Sequence, residues 1–187
     1  TLYGGTGYDT IHGDGSDGAE GRADTMFGEE GNDELFGYHG DDLLDVGSDN
    51  DLMIGGDGAE ANDTLRGDAG DDIFSGQLGD DSLVGGAGRD LLVGGLGLDT
   101  LRGDAGEDLL VADATTFDAN AAALLALHNE WTSANSYNLR IAHLSGLVGG
   151  ANGSTFLQPG TTVFDDQAID DLTGGTDLDW FLYNLMQ

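Results

Sequence analysis

The chain has 187 residues, 34 of them glycine and one proline, and its 36 acidic residues face five arginines and no lysine, for a formal net charge of −31 at pH 7. That charge excludes electrostatic attraction to nucleic acid or to an anionic membrane surface and makes cations the natural partner. With no cysteine, neither disulfides nor thiolate metal sites can hold the fold; no apolar run is long enough to cross a bilayer, and the N-terminus lacks the charged-then-apolar order of a signal peptide.

Thr1, Leu2 and Tyr3 occupy positions seven to nine of an incomplete unit, which reads as the continuation of a longer protein. From Gly4 to Val111 a nine-residue register, GGxGxDxUx with U a large apolar residue, then runs through eleven units. Position six is Asp in every unit: Asp9, Asp24, Asp33, Asp42, Asp51, Asp63, Asp72, Asp81, Asp90, Asp99 and Asp108. Position eight is apolar in every unit: Ile11, Met26, Leu35, Leu44, Met53, Leu65, Phe74, Leu83, Leu92, Leu101 and Leu110.

Each position has a physical task. The glycines permit a tight turn with close backbone approach, and the tail around U forms a short strand with its middle side chain pointing inward. Two units make one coil, so strands two units apart stack about 4.8 Å apart and bring together Asp residues 18 positions distant. Two carboxylates at that spacing repel by roughly 3 kcal/mol at an effective dielectric of about 20. A cation between them reverses the sign. Carboxylates and turn carbonyls are hard oxygen donors, which suit Ca²⁺; Zn²⁺ would need His or Cys.

Eleven tandem copies of this motif resemble the RTX (repeats-in-toxin) proteins, and the resemblance covers residues 4–111. It implies a mainly β fold, a parallel β-roll, with each calcium held by the Asp and the carbonyls of positions two and four of one turn, and by the Asp and the carbonyls of positions one and three of the turn 18 residues on. On that pattern one site joins Asp72, Asp68 and Gly70 to Asp90, Gly85 and Ala87. Another, on the opposite side, joins Asp81, Gln77 and Gly79 to Asp99, Gly94 and Leu96. A third joins Asp90, Gly86 and Gly88 to Asp108, Gly103 and Ala105. The earlier turns add carbonyls of Gly5, Gly7, Gly28, Glu30, Gly31 and Gly40. Roughly nine ions follow, with each inner Asp serving two. Val46 and Asp49 replace glycines in one turn.

Units two and six are lengthened, as GDGSDGAEGRADTMF and GGDGAEANDTLR, and share the string DGAE at Asp17–Glu20 and Asp57–Glu60. Both are even units, so both loops are expected on one side of the roll. They read as tolerated turn length or, in the sharper reading, as a cation site or partner ridge using Asp14, Asp17, Glu20, Asp57 and Glu60.

After Val111 the composition changes. Residues 118–131 predict an amphipathic helix capped by Asp118 with Ala121, Leu124, Leu125, His128 and Trp131 on one face, and residues 136–144 a second, shorter one. Counting back in nines from GGTDLDWFL returns the repeat, with Asp170 and Asp179 at position six and Val163, Leu172 and Phe181 at position eight. The expected organisation is therefore a β-roll over 1–114, a helical insertion or cap over 115–160 belonging to an even unit, and returning repeats over 161–187.

The metal-free roll is expected to be largely disordered. Each unit buries about one large side chain, worth roughly 2 kcal/mol, while ordering nine residues costs about 1 to 2 kcal/mol each. The four histidines form no HExxH or paired ligand spacing, there is no GxSxG or Walker loop, and in so acidic a chain Asp165 and Asp166 read as solvated or calcium-bound rather than as an acid–base pair. No enzyme is expected. The family resemblance implies a secreted, extracellular or cell-surface bacterial protein that uses type I secretion machinery. Within it the segment reads as a calcium-dependent folding and secretion module. The alternatives are an adhesive module with a cell-surface or matrix partner, and the tail of an exported hydrolase or toxin.

Overall fold

The computed structural model describes residues 1–13, 21–58, 61–150, 152–153, 155–164, 166 and 168–182. Twelve strands follow one another along the repeats: β1 (Leu2–Thr6), β2 (Thr10–His12), β3 (Thr25–Glu30), β4 (Glu34–Phe36), β5 (Leu43–Ser48), β6 (Leu52–Gly56), β7 (Thr64–Ala69), β8 (Ile73–Leu78), β9 (Ser82–Ala87), β10 (Leu91–Leu96), β11 (Thr100–Ala105) and β12 (Leu109–Thr115). Helices α1 (Ala121–Trp131) and α2 (Tyr137–Leu144) come next, then β13 (Val163–Phe164), β14 (Asp171–Thr176) and β15 (Trp180–Leu182).

Up to β12, odd and even strands separate into two sheets, because each six-residue turn carries the chain across the roll. One sheet runs β1-β3-β5-β7-β9-β11-β14; the other runs β2 to β12 through the even strands, with β15 parallel on β12. This is a parallel β-solenoid, as the resemblance implied. Pairing holds the units in register: Leu44, Leu65, Leu83 and Leu101 stack in one column, and Leu35, Met53, Phe74, Leu92 and Leu110 in the other. Those position-eight side chains form a closed core between the sheets. Truncating one of them, as in Leu92→Ala, removes a side chain that has no room to be replaced by water, a change that costs about 2–5 kcal/mol in such cores.

A second core lies outside the roll. In odd units five, nine and eleven, positions seven and nine are both apolar as well, and with Ile73 of unit seven the residues Leu52, Ile54, Leu91, Val93, Leu109 and Val111 cover the outer face of the even-strand sheet. Onto this face pack Leu124, Leu127, Trp131, Leu144 and Leu157. The helices thus cover a flank of the roll. The opposite sheet carries Arg66, Thr100 and Arg102 exposed at the same positions, so it needs no cover.

The helical segment departs from expectation in three details. Asn120, not Asp118, caps α1, its Oδ1 accepting from the Ala123 N–H at 3.1 Å; the Asp118 carboxylate turns back instead and accepts from the Thr115 N–H. The buried stripe of α1 runs through Leu124, Leu127, His128 and Trp131, while Leu125 faces water. Val163 is not a rung of the roll. Its strand, β13, lies antiparallel on the end of β12, so only two returning units stack: Leu172 on Leu101 and Phe181 on Leu110. The insertion therefore leaves after β12 and re-enters at β14, inside the turn of an even unit.

Polar contacts lock the helices to the last odd turn. Trp131 Nε1 donates to the Glu107 carbonyl at 2.6 Å, and the Arg140 guanidinium pairs with the Glu107 carboxylate while lying 4.6 Å over the Trp131 ring. His128 is buried and its Nε2 meets the Arg89 carbonyl at 3.1 Å; His143 pairs with the buried Glu130. These histidines are structural.

Candidate metal centre

The position-six aspartates form two continuous ladders, one on each edge of the roll. On the first, the backbone N–H of each Asp donates to Oδ1 of the Asp one coil on: Asp9 to Asp33 (2.9 Å), Asp33 to Asp51 (2.6 Å), Asp51 to Asp72 (2.8 Å), Asp72 to Asp90 (2.9 Å), Asp90 to Asp108 (3.0 Å) and Asp108 to Asp179 (3.0 Å). The second runs Asp24 to Asp42 (2.7 Å), Asp42 to Asp63 (2.8 Å), Asp63 to Asp81 (2.7 Å), Asp81 to Asp99 (2.9 Å) and Asp99 to Asp170 (2.9 Å). Both returning aspartates join a ladder across the whole helical insertion.

Each Asp after the first of its ladder thereby uses one carboxylate oxygen, and the other is left over. Oδ2 of Asp9, Asp33, Asp51, Asp63, Asp72, Asp81, Asp90, Asp99 and Asp108 is buried with no hydrogen-bond partner. A buried oxygen without a partner is costly, and a row of anionic ones more so. Turn carbonyls gather around the same points. A Cβ placed on Gly67 would fall 2.4 Å from Asp72 Oδ2 and 2.6 Å from the Gly85 carbonyl, while one on Gly88 would fall 1.9 Å from the Gly70 carbonyl and one on Gly86 2.2 Å from the Asp68 carbonyl. The Ala87 and Leu96 carbonyls accept from the Gly70 and Gly79 N–H groups, both at 2.9 Å, which keeps the third position of each turn against the coil before it. The same arrangement recurs at the start of the roll, where the Gly7 N–H donates to the Glu30 carbonyl at 2.7 Å. The cradle therefore offers only oxygen, from carboxylates and carbonyls, and leaves no room for a Cβ at its glycines. Such a donor set fits Ca²⁺.

Irregular turns keep this geometry. Asp49 adopts φ +82° in place of a glycine, and its N–H still donates to the Ala69 carbonyl at 2.9 Å. In lengthened unit six the Ala61 carbonyl approaches Gly79 as a regular fourth position would. Asp14, Asp17, Glu20 and Glu60 lie outside the described residues; Asp57 sits 3.5 Å from His39 of the turn between the two long loops.

A second set of ladders was also written in the sequence, at position five. Asn32, Asn50 and Asp71 accept from the backbone N–H of residues 50, 71 and 89 on one edge, and Asp41, Asn62 and Asp80 accept from residues 62, 80 and 98 on the other. Units three to eight all carry Asn or Asp there, a run that reads as general acidity until the coils are stacked. These side chains splice coil to coil next to the cradle.

With no counter-charge from the chain, the stacked carboxyls are displaced upward. Burial is the chief cause and neighbouring carboxylates add to it, pushing Asp72 up to about 9 and Asp63, Asp90 and Asp99 up to about 8. A carboxyl whose folded pKa exceeds its unfolded value binds protons preferentially in the folded state. Its stabilisation is full below about pH 4 and is lost as pH rises through 8 or 9. Calcium-depleted protein should therefore hold more β structure at pH 5 than at pH 8.5, while acid should raise the calcium concentration needed for folding, because protons and Ca²⁺ compete for the same oxygens. Circular dichroism of depleted samples at the two pH values checks this; more structure at the higher pH would overturn it.

Two parallel sheets joined by oxygen-lined turns define a calcium-binding β-roll. Four copies of the model of the RTX calcium-binding nonapeptide repeat match the chain, over residues 1–17, 19–53, 57–92 and 84–114, and the chain belongs to that family. The comparisons with curated proteins and with solved structures found no match. An RTX β-roll is a structural calcium-binding module and not a catalytic fold, and RTX repeats are typical of secreted bacterial proteins.

Proposed function

We propose that the segment is a calcium-triggered folding module of a protein exported by type I secretion, open during passage and closed outside the cell. The observation that carries this reading is the pair of aspartate ladders with unpartnered buried oxygens, which make the closed roll unfavourable until a cation arrives. The ions would lie between successive coils. Asp9 with the Gly5 and Gly7 carbonyls would face Asp33 with those of Gly28 and Glu30. Asp72 with Asp68 and Gly70 would face Asp90 with Gly85 and Ala87, and Asp81 with Gln77 and Gly79 would face Asp99 with Gly94 and Leu96. Asp90 with Gly86 and Gly88 would face Asp108 with Gly103 and Ala105. Gly31 and Gly40 serve in the same way in the third and fourth turns. Eleven repeats then hold roughly nine ions, and weak extracellular affinities of about 10⁻⁴ to 10⁻³ M keep the chain unfolded in a cytosol poor in calcium.

Sharing of ligands supplies the test. Asp90 serves an ion with Asp72 and another with Asp108, whereas Asp9 has one ladder neighbour, Asp33. Asp90→Ala should remove two bound ions, raise the calcium midpoint of folding and split the array; Asp9→Ala should remove one ion and only fray an end. Calcium stoichiometry and folding midpoints compare the two, and equal losses would contradict the pairing.

A further inference from the structure

Beyond unit eight the splice at position five changes character. Units three to eight carry Asn or Asp there, but the next three carry Arg89, Leu98 and Glu107. Arginine and leucine side chains offer no oxygen to the amide one coil on, so the Asn and Asp ladders end with Arg89 and Leu98 as their last donors. On the edge of the first aspartate ladder, α1 takes over. His128 Nε2 lies 3.1 Å from the Arg89 carbonyl, and Trp131 Nε1 donates to the Glu107 carbonyl at 2.6 Å. A carbonyl only accepts, so His128 carries its proton on Nε2, and burial lowers its pKa and keeps the ring neutral. Three residues of helix rise about 4.5 Å, close to the roughly 4.8 Å between coils, so α1 meets one coil with His128 and the next with Trp131.

Arg89 and Glu107 directly precede the ladder residues Asp90 and Asp108. Because a peptide unit is planar, a donor that fixes the Arg89 carbonyl also fixes the Asp90 N–H, and one that fixes the Glu107 carbonyl fixes the Asp108 N–H. Those two N–H groups donate to Asp108 Oδ1 and Asp179 Oδ1, both at 3.0 Å. With Oδ1 so committed, Asp108 keeps Oδ2 buried and unpartnered between the coils. The helix is held to this task by Arg140, 2 % exposed, whose Nη1 donates to the Trp131 carbonyl at 2.5 Å while Nη2 pairs with the Glu107 carboxylate.

We propose that His128 and Trp131 are positioning residues for calcium: through the Arg89 and Glu107 peptide units they set the carboxylates of Asp108 and Asp179, so the ions held at Asp108 depend on the docked α1. The helical insertion then does more than cover apolar surface. It replaces the missing splice of the last coils, and by reciprocity the ions at Asp108 tighten the docking of α1 as much as α1 tightens them. This rests on the calcium reading of the ladders, and its test separates the two.

The full chain, closed in saturating Ca²⁺, is mixed with chelator, with ion release followed by a calcium indicator and folding by circular dichroism. The parent should release its ions together with its β signal. His128→Leu fills the same space without the donor, and it should release the ions at Asp108 in an earlier phase, about two- to tenfold faster, as loss of one hydrogen bond implies. Trp131→Phe, which keeps a packed ring but not the N–H, should do the same. His128→Gln returns an N–H to that place and should restore the parent trace. Asp108→Ala identifies the ions, because in that background His128→Leu should add no early phase. A single phase at the parent rate in His128→Leu would overturn the proposal. So would a uniform acceleration of all ions that His128→Gln does not reverse, which is the mark of a packing defect. Both results leave the ladders standing on the parent's own ion count, whereas a parent that takes up no Ca²⁺ would overturn the two readings together.

Discussion

Moved from chelator into millimolar Ca²⁺, the full chain should pass from a coil spectrum to a β spectrum in far-UV circular dichroism, in one steep transition. The inner column of leucines is too thin to hold the roll alone, because each unit contributes about one large buried side chain against nine ordered residues. The ladders add stacked buried carboxylates, each pair repelling by roughly 3 kcal/mol at an effective dielectric of about 20. An ion between coils turns that repulsion into attraction and satisfies Oδ2. Since inner aspartates bridge neighbouring coils, occupancy of one cradle prepares the next, which makes the transition cooperative. A midpoint of about 10⁻⁴ to 10⁻³ M is expected. Identical spectra in chelator and in calcium would sink this account.

Ending the chain at Val111 should abolish calcium-driven folding or raise its midpoint at least about tenfold. Leu91, Val93, Leu109 and Val111 are fully buried only because α1 and α2 cover them, and Trp131 lies in the same cluster. Truncation exposes that face, and it also removes the rungs at Leu172 and Phe181 that end the two sheets. Exposed apolar area is worth about 25 cal/mol per Å², so several large side chains bared together outweigh what any one repeat contributes. Trp131→Ala in the full chain isolates the helical contact: loss of a buried Trp costs about 3–5 kcal/mol and should raise the midpoint with every aspartate intact. A truncated roll that titrates like the full chain would remove the helices from the folding unit.

From the amino-acid sequence by itself, period nine with Asp at position six and an apolar residue at position eight called for stacked two-unit coils that bury the apolar column and bring the acids together, and the resemblance to RTX repeats implied the parallel roll. The same sequence also specified two short helices, and it placed Asp170 and Asp179 in the sixth position of returning repeats. Reading unit by unit left open whether the helices cover an end or a flank of the roll; the flank is marked by the apolar residues at positions seven and nine of units five, nine and eleven, Leu52, Ile54, Leu91, Val93, Leu109 and Val111. That signal has a period of eighteen and is lost when each unit is read alone. Tertiary structure decided the rest. Counting in nines makes Val163 a rung because it is apolar and correctly spaced, yet a strand joins a sheet through its hydrogen bonds, and those of Phe164 and Val163 run antiparallel to Ala114 and Thr115. The helix face turned from Leu125 to Leu127 because the sheet, not the helix, set which stripe could be buried. Asp166, read in sequence only as solvated or calcium-bound, carries no mark there of the contact it makes. Its carboxylate meets Gly97, 69 residues away, only because the insertion folds back on the turn it interrupts.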